Sequence, residues 1–336
     1  MPRRHRSVLS TLAAVLAAAL TATVASMAPV QAAAPSYVAL GDSYSSGVGT
    51  RSYIDDGSTC QRSTYAYPSL VAAAKGYRLN FRACSGATTA DVTSTQLSAL
   101  SSTTGYVTIS VGGNDAGFAD VITECALPAW ASDCAGAVSA AQSFIRTALP
   151  GRLSTLYASI RSRAPKAKVV VVGYPKIFMG EDCNAATWFS PADETILNDT
   201  ATLLDSVTAS AAAARGFSFV NPISRFTGHA VCDATEWING FSSPISESYH
   251  PNRSGQSSGY TPLVSTPLTG AALTVTAATR QKAAATAPAL AEQQRAYADQ
   301  DSTIQPEVVR APDRAQLRRI AKRKGIDFGK WAARRG

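Results

Sequence analysis

The chain has 336 residues, of which 46% are hydrophobic and 16% charged, and it is long enough to bury a full core in one large domain with additional segments. Its formal charge of +8 lies at the two ends: residues 1–33 carry three Arg and no acid, and 13 Lys and Arg stand against six Asp and Glu from Arg280 onward. This leaves a net −2 in between, so the total charge does not identify a ligand, and we expect no nucleic-acid partner.

Residues 1–33 have the pattern of an export signal. A basic start containing Arg3-Arg4 precedes an Ala-rich apolar run over 8–24, and small residues then permit cleavage, for example after Ala32. A membrane anchor is the alternative, but the run is short for a span and ends in a cleavage pattern. The sequence therefore predicts a secreted protein freed by signal-peptide cleavage. The Arg3-Arg4 pair does not decide between the general and the twin-arginine export pathways.

Five short apolar segments are predicted to be β-strands: 36–40, 78–84, 106–111, 168–173 and 217–220. The fourth contains four consecutive valines, and such runs are typical of strands buried on both faces of a parallel sheet. Residues 139–164 and 191–214 place apolar side chains at helical spacing, although Pro150 interrupts the first. Because strands and helices alternate, the sequence predicts an α/β fold with a central parallel sheet covered on both sides.

The composition changes beyond residue 270. Residues 271–305 are rich in Ala, Thr and Gln, which predicts a linker-like segment or a loose helix. The basic C-terminal tail, 306–336, contains a predicted helix between Pro312 and Gly325. Apolar residues at helical spacing among six bases favour contact with an anionic membrane or wall surface, and a solvated, disordered tail is the alternative. We expect the segment from about Arg280 onward to be dispensable for catalysis.

Six cysteines follow the predicted signal peptide, and an even count in an exported chain favours three disulfides because that compartment is oxidising. A zinc site is the alternative, but there is no C-x-x-C and only His229 and His250 could add ligands. We therefore expect no metal. About 15 pairings are possible. We favour the pairs that close local loops: Cys60–Cys84, Cys125–Cys134 and Cys183–Cys232.

Polar residues follow three of the predicted strands. Ser43 follows the first strand, Ser85-Gly86 the second and Asn114 the third. Because ligands bind outside the carboxyl ends of the strands in an open parallel sheet, we expect these residues to meet at one edge. His250 lies much later in the chain.

Together these residues provide what ester cleavage requires: a nucleophile, a base and donors to the developing oxyanion. Ser43 is the predicted nucleophile and His250 the predicted base. The predicted oxyanion donors are the backbone N–H groups of Ser43 and Gly86 and the amide of Asn114. Glycine at position 86 allows close approach of the backbone to the substrate. The set needs no metal and no cofactor.

Four blocks resemble the GDSL, or SGNH, hydrolases, and their combination is specific: ALGDSYSSG at 39–47, SG at 85–86, VGGND at 111–115 and HPN at 250–252. The resemblance spans about 36–270. It implies an SGNH-type hydrolase domain over 34–270 with a flavodoxin-like three-layer α/β/α fold. The cysteine-rich pattern is similar to secreted actinobacterial lipases, esterases and phospholipases. The resemblance thus implies that the chain is a carboxylic ester hydrolase that degrades lipids and forms an acyl-enzyme on Ser43.

One position departs from the family pattern. Many members have Asp three residues before the histidine, and here that residue is Glu247. In some actinobacterial relatives a backbone carbonyl orients the histidine, and Ser248 is the matching position. A carbonyl can fix the tautomer but lends no full charge. We expect the Ser248 carbonyl to orient His250, with Glu247 as the second candidate.

Two other functions remain open from the sequence. One is removal of acetyl groups from a polysaccharide by the same residues, and the other is non-catalytic binding to a wall or a lipid. We expect an acyl ester or lipid substrate and a monomer. Five aromatic residues could line an acyl groove or belong to the ordinary core: Tyr44, Trp130, Trp188, Phe189 and Trp237.

Overall fold

In the computed structural model, which describes residue 1 and residues 33–333, five parallel β-strands form the centre of the fold. They are β1 (Ser36–Gly41), β2 (Arg78–Phe81), β3 (Tyr106–Ser110), β4 (Lys168–Val172) and β5 (Ser218–Val220). Their order is β2-β1-β3-β4-β5, and every neighbouring pair is parallel. This is the order of flavodoxin-like sheets, so the predicted fold class is confirmed.

The helices described by the structure are α1 (Ser43–Ser46), α2 (Tyr67–Lys75), α3 (Thr89–Asp91), α4 (Phe118–Cys125), α5 (Cys134–Thr147), α6 (Leu149–Arg163), α7 (Pro191–Ala213), α8 (Ile223–Phe226), α9 (Thr261–Thr269), α10 (Ala277–Ala285), α11 (Ala287–Arg295), α12 (Ala298–Asp301), α13 (Arg314–Arg323) and α14 (Phe328–Ala333). Short 3-10 and π turns lie at Val92–Gln96, Leu97–Ala99, Ile245–Glu247 and Gly255–Tyr260. No helix among the described residues is long and apolar enough to cross a bilayer. The predicted signal peptide, residues 1–33, lies outside the described residues apart from its two end residues.

Local sequence explains the buried sheet and the break between two of its covering helices. The valines of β4 are fully buried or nearly so, as expected of a strand with helices on both faces. The predicted helix 139–164 is instead two helices, α5 and α6, because Pro150 occupies the first turn of α6 and cannot continue the hydrogen bonding of α5. Helices α5, α6 and α7 form one packed group, and α2, α9 and α10 form another.

The described cysteines form three disulfides, and none of them is free: Cys60–Cys84, Cys125–Cys134 and Cys183–Cys232. The first of these bonds joins the loop before α2 to the end of β2. It therefore restrains the segment that carries Ser85 and Gly86.

The C-terminal part of the chain corrects the prediction of a linker-like segment. The described residues from 34 to 333 belong to one compact unit, in which α10 packs on α2 and α11 packs on β2. The carboxylate of Asp301 pairs with Arg62 at 2.7 Å and with Arg82 at 2.8 Å, and all three side chains are at most 1% exposed. Residues 271–305 are therefore part of the fold. Their Ala-rich composition conceals this because small side chains pack closely without an obvious apolar stripe.

Candidate active site

Ser43 lies at the carboxyl edge of the sheet, immediately after β1. Gly41 makes the turn possible, because its φ is +118° and a Cβ there would collide with the carbonyl oxygen of Ser110. Asp42 caps α1 and accepts hydrogen bonds from the backbone N–H of Tyr44 at 3.0 Å and the Ser110 hydroxyl at 2.7 Å. Ser43 is consequently held at the start of α1, where it is 6% exposed.

The hydroxyl of Tyr174 adds a further, short hydrogen bond to the Asp42 carboxylate. Burial raises the pKa of Asp42 to about 6, although the donors from Tyr174 and Ser110 oppose that shift. Tyr174 also accepts a hydrogen bond from the backbone N–H of Gly113 at 3.4 Å. This tyrosine therefore joins the turn that carries Ser43 to the loop that carries Asn114. No sequence motif indicates this link.

His250 contacts Ser43 with one ring nitrogen and a backbone carbonyl with the other. Its Nε2 lies 2.8 Å from Oγ of Ser43, and its Nδ1 lies 2.8 Å from the carbonyl oxygen of Ser248. A carbonyl can only accept, so Nδ1 carries the proton and Nε2 is free to accept the serine proton. Burial lowers the pKa of His250 to about 4, against the opposing effect of the Ser248 hydrogen bond. The imidazole is thus neutral at pH 7, as a general base requires.

Glu247, the second candidate for orienting the histidine, points elsewhere. Its Oε1 accepts a hydrogen bond from the Tyr53 hydroxyl at 2.6 Å, and its Oε2 lies 3.6 Å from Nε of Arg51. Among the described residues, none of its hydrogen bonds or ion pairs involves His250. The carboxylate is 1% exposed, so its role here is to fix the loop before His250.

The predicted oxyanion donors surround Ser43. Gly86 has a φ of +84° and lines the same small cavity as Ser43, Asn114 and His250. The Asn114 amide donates to the carbonyl of Ala87 at 3.0 Å, which places it beside the Gly86 loop. Two hydrogen bonds from Thr89 to Asp115, at 2.8 and 2.6 Å, tie the two loops together. The structure therefore brings every predicted site residue except the Glu247 carboxylate to one place.

An apolar cavity of about 80 Å³ opens beside Ser43 and Asn114. Aliphatic side chains dominate its walls, among them Val121, Ile122, Ile145, Ile177, Leu197 and Leu204. Of the five aromatic residues considered for an acyl groove, Tyr44 alone lines it. Trp130 and Trp188 pack on Trp331 instead, and Trp237 stacks on His229. The aromatic-groove hypothesis is therefore wrong for four of the five.

A second cavity, of about 10 Å³, also has Ser43 and Asn114 in its lining. Ser43, Gly86, Asn114 and His250 form one wall, and three residues from the distant C-terminal part, 307–309, form another. Sequence reasoning missed these residues, because no motif marks the segment and its composition is ordinary.

Comparison with known proteins gives consistent results. The model of the GDSL-like Lipase/Acylhydrolase family matches residues 39–257. Lipase 1 of Streptomyces coelicolor is 46% identical over 267 residues, which cover 78% of this chain and 98% of that lipase. A lipase of Streptomyces rimosus is 43% identical over 263 residues, covering 78% of this chain and 97% of the other.

Two crystal structures are also similar. Phospholipase A1 from Streptomyces albidoflavus NA297 superposes with a TM-score of 0.67 at 43% identity, covering 70% of this chain and 100% of that structure. The extracellular lipase from Streptomyces rimosus gives a TM-score of 0.66 at 43% identity, with the same coverages. This chain therefore contains residues that neither structure matches.

Proposed function

Because the chain belongs to the GDSL-like Lipase/Acylhydrolase family and is a carboxylic ester hydrolase, we propose that it cleaves fatty-acyl esters through an acyl-enzyme on Ser43. The observation that carries this assignment is the chain of contacts from Ser43 Oγ to His250 Nε2 and from His250 Nδ1 to the Ser248 carbonyl, each 2.8 Å long. These contacts support Ser43 as a nucleophile and His250 as its neutral, oriented base.

In acylation, Oγ of Ser43 attacks the ester carbonyl carbon while Nε2 of His250 takes the hydroxyl proton. The carbonyl oxygen becomes an oxyanion that accepts hydrogen bonds from the N–H groups of Ser43 and Gly86 and from the Asn114 amide. The imidazolium then gives its proton to the alcohol oxygen as the bond from the acyl carbon to that oxygen breaks. The alcohol departs and the acyl group remains on Ser43.

Deacylation repeats these steps with water. His250 removes a proton from the water as its oxygen attacks the acyl carbon, and the oxyanion forms between the same donors. The proton then passes to Oγ of Ser43 as the acyl bond breaks, which releases the carboxylic acid and restores the serine. The Ser248 carbonyl holds the imidazole throughout and stabilises its positive charge by a dipole rather than by a full negative charge.

The apolar cavity beside Ser43 supports a fatty-acyl substrate over an acetyl group. Its aliphatic walls would bury methylene groups, each worth about 0.8 kcal/mol, whereas an acetyl group gains little from them. We therefore favour a lipase or phospholipase activity over polysaccharide deacetylation. A series of p-nitrophenyl esters tests this choice, with butyrate or longer esters expected to exceed acetate in kcat/KM by tenfold or more. A clear preference for acetate would favour the deacetylase.

Fluorophosphonate labelling tests whether the site is catalytic at all. The reagent phosphonylates an activated serine, so the labelled peptide should contain Ser43. Absence of labelling in folded protein would favour a binding protein without catalysis.

Secretion is part of the proposal. The N-terminal pattern of residues 1–33 supports export, as does the similarity to the extracellular lipase from Streptomyces rimosus. Mass spectrometry of protein from the culture medium should find an N-terminus close to Ala33.

The basic C-terminal segment supports a further contact with anionic surfaces. In α13, Leu317 and Ala321 are buried against the protein, so its apolar side is not available for insertion into a membrane. Its bases are exposed, and each contributes roughly 1 kcal/mol near an anionic surface. We propose that the enzyme acts as a monomer whose α13 binds such surfaces electrostatically. Binding to anionic vesicles should weaken as salt is added.

A further inference from the structure

Residues 305–310, here called the strap, pass directly over the proposed oxyanion site. A Cβ built on Gly86 would lie 2.6 Å from Cα of Pro306 and 2.8 Å from the carbonyl oxygen of Gln305, so strap backbone packs on the glycine itself. The next three strap residues line the cavity that Ser43 and His250 share. The strap thus packs on one proposed oxyanion donor and lines the smaller of the two cavities that contain Ser43.

The strap is anchored on its N-terminal side by buried charge. It follows α12, whose Asp301 pairs with the fully buried Arg62 and Arg82. Ile304 adds an apolar contact and is 1% exposed. This end is firmly part of the core.

The anchors on the C-terminal side lie on α4. Val309 is 3% exposed, and the backbone N–H of Arg310 donates to the hydroxyl of Thr123 at 3.0 Å. The Arg310 guanidinium also pairs with Asp120 at 2.7 Å, although both side chains are 65% exposed. An exposed pair contributes little, so Val309 provides most of the hold at this end.

The cavity under the strap is too small for the large alcohol part of a lipid ester. The cavity under the strap measures about 10 Å³, which is about the space that one water molecule needs. The proposed acyl part occupies the larger cavity, which Ser43 and Asn114 also line, and this leaves the cavity under the strap for the alcohol. A glycerolipid alcohol is many times larger than a water molecule.

We propose that the strap is an intramolecular cover of the leaving-group site, which makes the full chain disfavour esters of large alcohols until Val309 leaves its buried position and the strap lifts. This inference rests on the proposed function of Ser43. The family match ends at residue 257, so the strap belongs to a part of the chain outside it. Between its anchors, Gln305, Glu307 and Val308 are exposed, so lifting the strap breaks few contacts.

Two butyrate esters that share an acyl group test the proposal in the full mature chain. Methyl butyrate has a small alcohol, and dibutyroylphosphatidylcholine has a large one. The variant Val309→Asp places a charge in a buried anchor and should release the strap. We expect the ratio of kcat/KM for the phospholipid to kcat/KM for methyl butyrate to rise about tenfold or more, on the scale of one buried valine.

Thr303→Asp is the matched control. It adds the same charge to the same stretch of chain at an exposed position, and it should leave the ratio of the two kcat/KM values unchanged. Thermal melting establishes that each variant is folded. A folded Val309→Asp enzyme with the wild-type ratio would overturn the proposal.

If Val309→Asp does not fold, exchanging the charges of Arg310 and Asp120 tests the proposal instead. Arg310→Glu faces Asp120 with a like charge and should raise the ratio about two- to fivefold, the scale of a surface pair. The double variant Arg310→Glu/Asp120→Arg should restore the wild-type ratio, and an unchanged ratio in both would overturn the proposal. Failure of the proposed function is separate, because the wild type would then neither hydrolyse methyl butyrate nor be labelled at Ser43 by a fluorophosphonate.

Discussion

The Nδ1 atom of His250 lies 2.8 Å from the carbonyl oxygen of Ser248, only two residues earlier in the chain. The backbone achieves this close return because Tyr249 between them has a φ of +60°, a conformation that non-glycine residues rarely adopt. The strain is held in place by Tyr44, whose hydroxyl donates to the Tyr249 carbonyl at 2.8 Å. A backbone carbonyl therefore takes the position of the third group in this site.

The first prediction concerns Glu247. Because its carboxylate bonds to Tyr53 and not to His250, Glu247→Gln should keep the acceptor for Tyr53 and change kcat by less than about fivefold, the cost of about one hydrogen bond. His250→Ala should lower kcat by about 10⁴-fold or more. Turnover of p-nitrophenyl butyrate measures both. A loss approaching 10⁴-fold in the Gln variant would instead assign the orienting role to Glu247.

Asn114 provides the second prediction. If its amide holds the oxyanion, Asn114→Ala should lower kcat by roughly 10²- to 10³-fold while KM changes little, because the bond strengthens in the transition state. Steady-state kinetics with a soluble ester separates the two constants. An increase in KM alone would make Asn114 a residue of substrate binding.

The third prediction is the pH dependence of kcat/KM. Burial places the pKa of His250 at about 4, so the base stays neutral as the pH falls from 7 and is lost only when protonation begins near pH 4. The acidic limb should therefore lie well below the ordinary histidine value of about 6.5. Protonation of Asp42 near pH 6 adds a shallower step, which Asp42→Asn would remove. A single limb near 6.5 would show that His250 is solvated in solution.

The fourth prediction tests the integration of residues 271–305 into the fold. Asp301→Ala leaves Arg62 and Arg82 short of a partner in the interior, so it should reduce the free energy of unfolding by about 3–5 kcal/mol. Asp299→Ala removes an exposed carboxylate from the same helix and should change it by at most about 0.5 kcal/mol. Urea denaturation compares the two variants. Equal stabilities would mean that the buried ion pairs do not hold the C-terminal segment.

The sequence predicts which residues of the proposed site lie together because most of them lie in short motifs at strand ends. Ser43 and His250 are 207 positions apart, yet the parallel topology and the local pattern around each suffice to bring them together. The choice between Ser248 and Glu247 depended on one backbone angle at Tyr249, which residue types do not reveal.

The C-terminal segment shows what local patterns cannot predict. The pairing of Asp301 with Arg62 joins residues 239 positions apart, and nothing near either residue indicates the other. Likewise, the family motifs predict a catalytic serine but contain no information about the proposed strap. The expectation that the segment from about Arg280 is dispensable for catalysis rests on the absence of motifs in it, and it stays a prediction.

The measurement that tests the central claim most directly is the kcat of Ser43→Ala on p-nitrophenyl butyrate, with thermal melting to show that the protein is folded. The hydroxyl is the proposed nucleophile, and its loss should lower kcat by about 10⁴- to 10⁶-fold without loss of the fold. A folded variant that keeps more than about a tenth of wild-type turnover, far above the loss expected for a nucleophile, would contradict the assignment of Ser43.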